Sequence, residues 1–271
     1  MSSDEDYFIR VSHNSGFFSC CTVLLDYILN TFNSKKKLAN YIDASLTFDW
    51  YKPENKRDQS IVFEYFEHYD NIQIPITWSK KIGFYTAIEI DNYSNIDYES
   101  ITPFMLKYFT PSQQIKTIIQ NIEEKYQVNY KNICVLFYRG NDKITETKLS
   151  SYDEYIRQAN EVLEKNPNIQ FLIQSDETEF IETMTKHFPS NSFYFKDEIR
   201  HIPKNNETTV DKVFSNLNFE FSKYFLAIMI IMSKCEHLII GSGNCPLWIC
   251  LYRGNTINTR QFLISGWVHE S

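Results

Sequence analysis

The sequence predicts an α/β protein organised around a parallel sheet, in two consecutive units. Three observations predict it. Across the second half, short runs of strand character alternate with segments of helical periodicity, the signature of strand–helix–strand crossovers. Those short runs are continuously apolar, as strands covered on both faces must be. The chain has 271 residues at 43% hydrophobic content, enough for two cores and too apolar for disorder.

The second half reads in order. Residues 112–126 place Ile115, Ile118, Ile119, Ile122 and Tyr126 on one helical stripe entered through Pro111. Ile133-Cys134-Val135-Leu136-Phe137-Tyr138 is a buried strand. Ser151-Tyr152-Asp153-Glu154 is a capping box opening a helix to about residue 165, which Asn166-Pro167-Asn168 stops. Residues 169–173 form the next strand, and Asp176 and Glu179 cap a helix carrying Phe180, Met184 and Phe188. A short strand at 193–195 follows. An apolar helix ends near Cys235, with a strand at 237–240 after it. Gly241-Ser242-Gly243-Asn244 then turns into a closing helix, where Pro246 suits the first turn.

The first half is a smaller unit of the same kind. Residues 7–11 read as a strand, and Ser15-Gly16-Phe17-Phe18-Ser19 turns into an amphipathic helix through Phe32. Ile42-Asp43 ends a second strand, and residues 60–69 look helical. Pro103 and Thr110-Pro111 mark the boundary, giving a first domain at 1–110, a second at 111–255 and a tail at 256–271.

Composition removes several function classes. With 27 basic against 34 acidic residues the net charge is −7, so the surface repels nucleic acid. Lys35-Lys36-Lys37, the one basic run, reads as a solvated helix end. The N-terminus lacks the basic and apolar regions of a signal peptide. The most apolar run, 224–232, is about half a membrane span, so a cytoplasmic protein without a membrane span is expected. The sequons at Asn92 and Asn206 carry no meaning without secretion. Cysteines 20, 21, 134, 235, 245 and 250 form no Cys-x-x-Cys pair and the histidines are scattered, so no metal site is expected. Gly-x-x-x-x-Gly-Lys and Gly-x-Ser-x-Gly are both absent, against a Walker-type NTPase and an α/β hydrolase.

Three polar clusters fall at the carboxyl ends of the second half's strands, where open parallel sheets bind ligands. In Arg139-Gly140-Asn141-Asp142-Lys143, the planar guanidinium of Arg139 matches phosphate oxygens, Gly140 admits a ligand close to the backbone, Asp142 can orient Arg139, and Lys143 adds a cation. A salt bridge at a strand end is the alternative. Asp176 can accept hydrogen bonds from a base or ribose, or serve only as a helix N-cap. Gly241-Ser242-Gly243-Asn244 can offer N–H groups to a diphosphate at a helix start, although glycines at such turns are often geometry alone.

The order Tyr-Arg-Gly-Asn-Asp-Lys, then Ser-Asp, then Leu-Ile-Ile-Gly-Ser-Gly-Asn resembles the fucosyltransferase superfamily of the α1,2-, α1,6-, nodulation and protein O-fucosyltransferases. Ile231-Met232-Ser233-Lys234-Cys235-Glu236-His237 stands where that family has a similar helix end. The resemblance covers roughly residues 112 to 255. Asn14-Ser15-Gly16-Phe17-Phe18-Ser19 is also similar to the first glycine turn of these folds and of glycosyltransferases of large DNA viruses. In that last case the compartment would be the host cytoplasm.

The resemblance implies a GT-B-like fold, two Rossmann-like domains facing a cleft. It also implies an inverting, metal-independent transfer of fucose or another sugar, such as xylose, from a GDP- or UDP-sugar to a glycan or glycoprotein hydroxyl. No cofactor beyond the donor substrate is implied. Arg139 would bind the diphosphate and neutralise the leaving group, with Lys143 beside it. Gly16, Asp142, Ser242, Gly243 and Asn244 would line the donor, and Asp176 would contact the base. Glu146 matches the family's catalytic glutamate if one residue is deleted between Ile144 and Glu146. It would be the base, with a solvated loop acid as the plain alternative and Asp43 and Asp49 as substitutes. Two features depart from the family: Phe137 replaces its histidine, and the chain is short. The lost histidine favours the alternative of a non-catalytic nucleotide- or sugar-binding module on a degenerate transferase fold.

Overall fold

A computed structural model describes residues 8–69, 74 and 81–270. The first unit is a strand–helix–strand crossover. Strand β1 (Phe8–His13) leads through helix α1 (Phe17–Lys35) to strand β2 (Tyr41–Thr47), which pairs with β1 in parallel. Helix α1 buries Phe17, Phe18, Cys21, Leu25, Ile28 and Phe32, a stripe at three- and four-residue spacing. Residue 7, expected to open β1, lies outside the described residues.

Two expectations for this half are corrected. Residues 60–69 hold only one helical turn, α2 (Val62–Tyr65); Phe66 then bridges to Pro111, and the Glu67 N–H donates to the Thr110 carbonyl. Extended pairing there competes with the helix that the periodicity suggested. Pro103 marks no boundary. It lies inside helix α3 (Tyr98–Tyr108), whose start is fixed by Asp97 accepting from the Ser100 N–H. Ile42 and Asp43 stand near the beginning of β2 instead of its end.

The second unit runs through helix α4 (Gln113–Tyr126), strand β3 (Ile133–Tyr138), helix α5 (Tyr152–Lys165), strand β4 (Gln170–Ser175), helix α6 (Thr178–His187) and strand β5 (Ser192–Phe193). It continues with a helical turn α7 (Val210–Val213), helix α8 (Asn218–Ser233), strand β6 (His237–Ile240), helix α9 (Asn244–Arg253) and strands β7 (Thr259–Leu263) and β8 (Gly266–Glu270). Every residue of β3 is buried, as its unbroken apolar sequence demands. Residues 224–232 lie in α8, with Ile228, Met229, Ile231 and Met232 in the core. No helix among the described residues is long and apolar enough to cross a membrane.

The main sheet has the order β5-β4-β3-β6-β7-β8, parallel except for β8. The chain winds outward from β3 through β4 to β5, then returns to lay β6 on the other side of β3. That reversal is a topological switch point, where the loops after β3 and β6 part and leave a crevice. The mixed α/β class with a parallel sheet is therefore as the sequence predicts, its first unit reduced to one crossover among the described residues.

The tail expected at 256–271 is corrected as well: it supplies β7 and β8. Thr-Arg-Gln-Phe-Leu is too polar to read as a sheet strand, but its polar groups are paired inside. Arg260 donates to Gln158 Oε1 and Glu161, and Gln261 donates to the Asp91 carbonyl. One continuous apolar core runs from Ile9 to Leu251, and α9 packs against both α1 and α3 of the first unit.

Candidate functional site

The crevice at the switch point opens into a cavity of about 280 Å³ lined by both halves of the chain. Of the residues expected at a donor site, Gly16, Arg139, Asp142, Lys143, Glu146, Ser242, Gly243 and Asn244 all line it. Asp176 lines a smaller adjoining cavity, which meets the first at Arg139, Asp211 and Phe225. Asp43 and Asp49 line neither. Asp43 is held by Arg10 at 2.8 Å, and Asp49 by Asn14 at 2.7 Å and Lys52 at 2.9 Å.

The loop after β3 is built on two buried carboxylates. Asp176 Oδ1 accepts the Gly140 N–H at 2.8 Å, and Glu177 Oε1 accepts the Asn141 N–H at 2.8 Å. Tyr152 donates to the other oxygen of Glu177. Asn141 has φ +45°, in the left-handed region that asparagine tolerates better than most residues. Its side chain is fully committed: Nδ2 donates to the Asp176 carbonyl and Oδ1 accepts the Asn205 N–H, each at 2.9 Å. Asp176 is therefore not the helix cap that sequence suggests. Glu177 is the N-cap residue of α6, and it makes no side-chain cap bond because its carboxylate serves the loop.

This clamp aims two cations at the cleft. Arg139 donates to Asp142 at 3.3 Å and lies 3.3 Å from Asp176 Oδ2. Burial works against its charge, and Asp176 and Asp142 more than offset that, holding the guanidinium pKa above its usual value. Burial pushes the Asp142 carboxyl up, with Arg139 pulling it back. Lys143 is ion-paired with Glu146, whose side chain is 54% exposed. The Lys143 stem passes Gly243 so closely that a Cβ on residue 243 would stand 3.1 Å from Cε, and Gly243 has φ +136°. Only glycine satisfies both conditions.

Two helix N-termini open onto the same space. Gly16, Phe17, Phe18 and Ser19 begin α1, and Asn244, Cys245 and Pro246 begin α9. Their first-turn N–H groups have no intrahelical acceptor, and the aligned peptide dipoles put partial positive charge there. The role expected of the glycine turn narrows, however. The Gly243 N–H donates to the Glu89 carbonyl at 2.7 Å, and the Ser242 hydroxyl to the Phe262 carbonyl at 2.8 Å. Asn244 and Cys245 keep backbone donors at the helix start, whereas Pro246 has none. Nothing of the protein lies within 4 Å of the point where a Gly16 Cβ would stand, so its missing side chain leaves cleft space.

Sequence reasoning missed Trp50, Tyr51, Glu89, Asp211 and Lys212, all of which line the cleft. Asp211 accepts from Arg200 at 2.9 Å and from Tyr51 at 3.1 Å. These residues sit in short turns without periodicity, which left no sequence signal to place them. Among the described residues no group of three or more His, Cys, Asp or Glu is placed to hold a metal ion.

No family model matches the sequence, and no curated protein matches it. Solved structures do. One of NodZ α-1,6-fucosyltransferase soaked with GDP-fucose superposes with a TM-score of 0.61 at 11% identity, over 98% of this chain and 100% of that one. One of fucosyltransferase NodZ from Bradyrhizobium gives a TM-score of 0.60 at 11% identity, with the same coverage. A third, co-crystallised with GDP, gives 0.61 at 11% identity over 98% of this chain and 99% of that one. This chain has the same fold as those structures. Within that fold, the cleft at the β3–β6 switch point is lined by both halves of the chain, and Phe137 is buried and lines the smaller cavity adjoining it.

Proposed function

We propose that this chain is a glycosyltransferase that moves a sugar from a nucleotide-sugar, with inversion and without a metal, to the hydroxyl of a glycan or glycoprotein. The observation that carries the reading is one convergence. Arg139, Lys143 and the N-termini of α1 and α9 meet around a single cleft at a topological switch point. A nucleoside diphosphate leaves with negative charge on its phosphates, and preorganised cations and dipoles stabilise that charge as it develops. Arg139 takes the diphosphate with its planar fork, Lys143 adds a point charge, and the N–H groups of Asn244 and Cys245 take further oxygens.

The nucleotide we propose is GDP. In the cavity beside Arg139, Gln174 Oε1 is a buried acceptor without a hydrogen-bond partner, and Asp176 Oδ2 has only its ion pair with Arg139 at 3.3 Å. A guanine edge offers N–H donors from both a ring nitrogen and an amino group, whereas uracil offers one ring N–H. One of the fold neighbours was soaked with GDP-fucose and another co-crystallised with GDP, which supports the same choice.

The test is release of nucleoside diphosphate from GDP-fucose and from UDP-sugars, measured with and without a panel of defined oligosaccharides. Acceptor-dependent GDP release is the expected result. Saturable GDP binding with no release from any donor would instead support the non-catalytic module.

A further inference from the structure

The cleft has four carboxylates among its described lining residues: Glu89, Asp142, Glu146 and Asp211. Three are spoken for. Asp142 pairs with Arg139, Glu146 with Lys143, and Asp211 with Arg200 and Tyr51. Glu89, on the turn Thr86–Ile90, makes no ion pair and no side-chain hydrogen bond to another described residue, and its Oε2 is buried without a partner.

Glu89 also stands between two spaces. Behind the cleft is a second cavity of about 350 Å³, lined by His13, Ser19, Thr86 and Asn244 among others. Ser19, Glu89 and Asn244 line both cavities, and Glu89 is the only described carboxylate that does. Part of the second cavity's wall is polar. His13 Nε2 lies 2.9 Å from Ser19 Oγ, and Thr22 Oγ1 donates to Asn244 Oδ1 at 2.6 Å.

We propose that the second cavity receives the acceptor and that Glu89, in place of Glu146, is the base that deprotonates its hydroxyl; this rests on the transferase reading above. In the step, the acceptor O–H proton passes to the Glu89 carboxylate and the acceptor oxygen bonds to the anomeric carbon. The bond from that carbon to the phosphate oxygen breaks, and its electron pair leaves with the diphosphate held by Arg139 and Lys143. The proton then passes from Glu89 to solvent. Burial pushes the Glu89 carboxyl up from its usual value, only partly offset by its own backbone N–H and by Lys143, which makes it a better proton acceptor than a solvated acid. The terminal torsion of a glutamate is soft, so either oxygen can turn to the hydroxyl.

The test compares Glu89→Gln, Glu89→Asp and Glu146→Gln in the full chain, with GDP-fucose as donor and the most active oligosaccharide as acceptor. GDP affinity is measured separately by calorimetry. Glu89→Gln is expected to bind GDP within about threefold of wild type while transfer falls at least about a hundredfold. Glu89→Asp, one methylene shorter, retains a carboxylate and is expected to fall between them; it decides the matter if the glutamine variant is unfolded. Glu146→Gln is expected to lose about tenfold or less, by loosening Lys143. Thr86→Trp should raise the acceptor KM and leave GDP affinity unchanged. An active wild type with Glu89→Gln within fivefold of it, or a deeper loss in Glu146→Gln, overturns the assignment while the transferase reading stands. A wild type that neither binds GDP nor releases it overturns both.

Discussion

The Glu177 carboxylate fills the space that a side chain on residue 140 would need: a Cβ on Gly140 would stand 2.0 Å from Glu177 Oε1. Glycine is required there by a neighbouring side chain. The neighbour is a buried acid that holds the Arg139 loop through the Asn141 N–H and is itself held by Tyr152.

Gly140→Ala should therefore displace a buried, hydrogen-bonded carboxylate. A loss of about 1–3 kcal/mol in unfolding free energy is expected from the broken bonds, with weaker GDP binding because Arg139 loses its support. Urea denaturation and calorimetry read the two effects. A variant with unchanged stability would mean that Glu177 rotates away at no cost.

Arg139→Lys keeps a positive charge and discards the fork. In this variant kcat/KM should fall by an amount equal to about 2–4 kcal/mol of transition-state stabilisation. Turnover within a few-fold of wild type would remove Arg139 from the mechanism.

Activity should survive excess EDTA, because the proposed leaving-group charge is met by Arg139, Lys143 and two helix N-termini. Loss of activity in EDTA with rescue by Mn²⁺ or Mg²⁺ would contradict this.

Much of this was legible in the sequence, and the exceptions have physical causes. The strand ending at Arg139 announced itself through six consecutive apolar residues, and the β-α alternation around it fixed which loops share an edge. Arg139, Lys143 and Asn244 could be placed because each follows such a strand within a few residues. Glu89 could not be placed, since Thr86–Ile90 is a single 3₁₀ turn with no period to orient it. Asp176 does follow strand β4, but its local bond is not the helix cap that the sequence suggests. Caps are judged from nearby backbone, whereas its real partner, the Gly140 N–H, is 36 residues away. Strands β7 and β8 were hidden because Arg260 and Gln261 look solvated until Gln158, Glu161 and Asp91 are brought to them by the fold.

Glu89 makes a separate prediction about stability and pH. Burial raises its folded-state pKa, with Lys143 opposing and Glu146 and Asp91 adding to the rise. His13, across the second cavity, has its own pKa lowered by burial. A raised folded pKa gives a contribution that is fully present below the unfolded carboxyl pKa and lost as pH rises through the folded one. Glu89→Gln should therefore be more stable than wild type at pH 7, with the gap closing as pH falls through the raised folded pKa and gone below about 4. Melting curves at several pH values check this. A glutamine variant less stable than wild type at pH 7 would show that the carboxylate is well solvated or paired in solution.

The central claim is that the cleft between β3 and β6 binds a nucleoside diphosphate through Arg139. The most direct measurement is a thermal-shift titration of GDP, with UDP in parallel, against wild type and Arg139→Ala. Mass action gives a ligand at a hundred times its Kd about 2.7 kcal/mol of added stability, which is readily seen as a rise in Tm. The account predicts a saturable rise with GDP, a smaller one with UDP, and loss of both in Arg139→Ala. No shift with either nucleotide, or an equal GDP shift in Arg139→Ala, would contradict it.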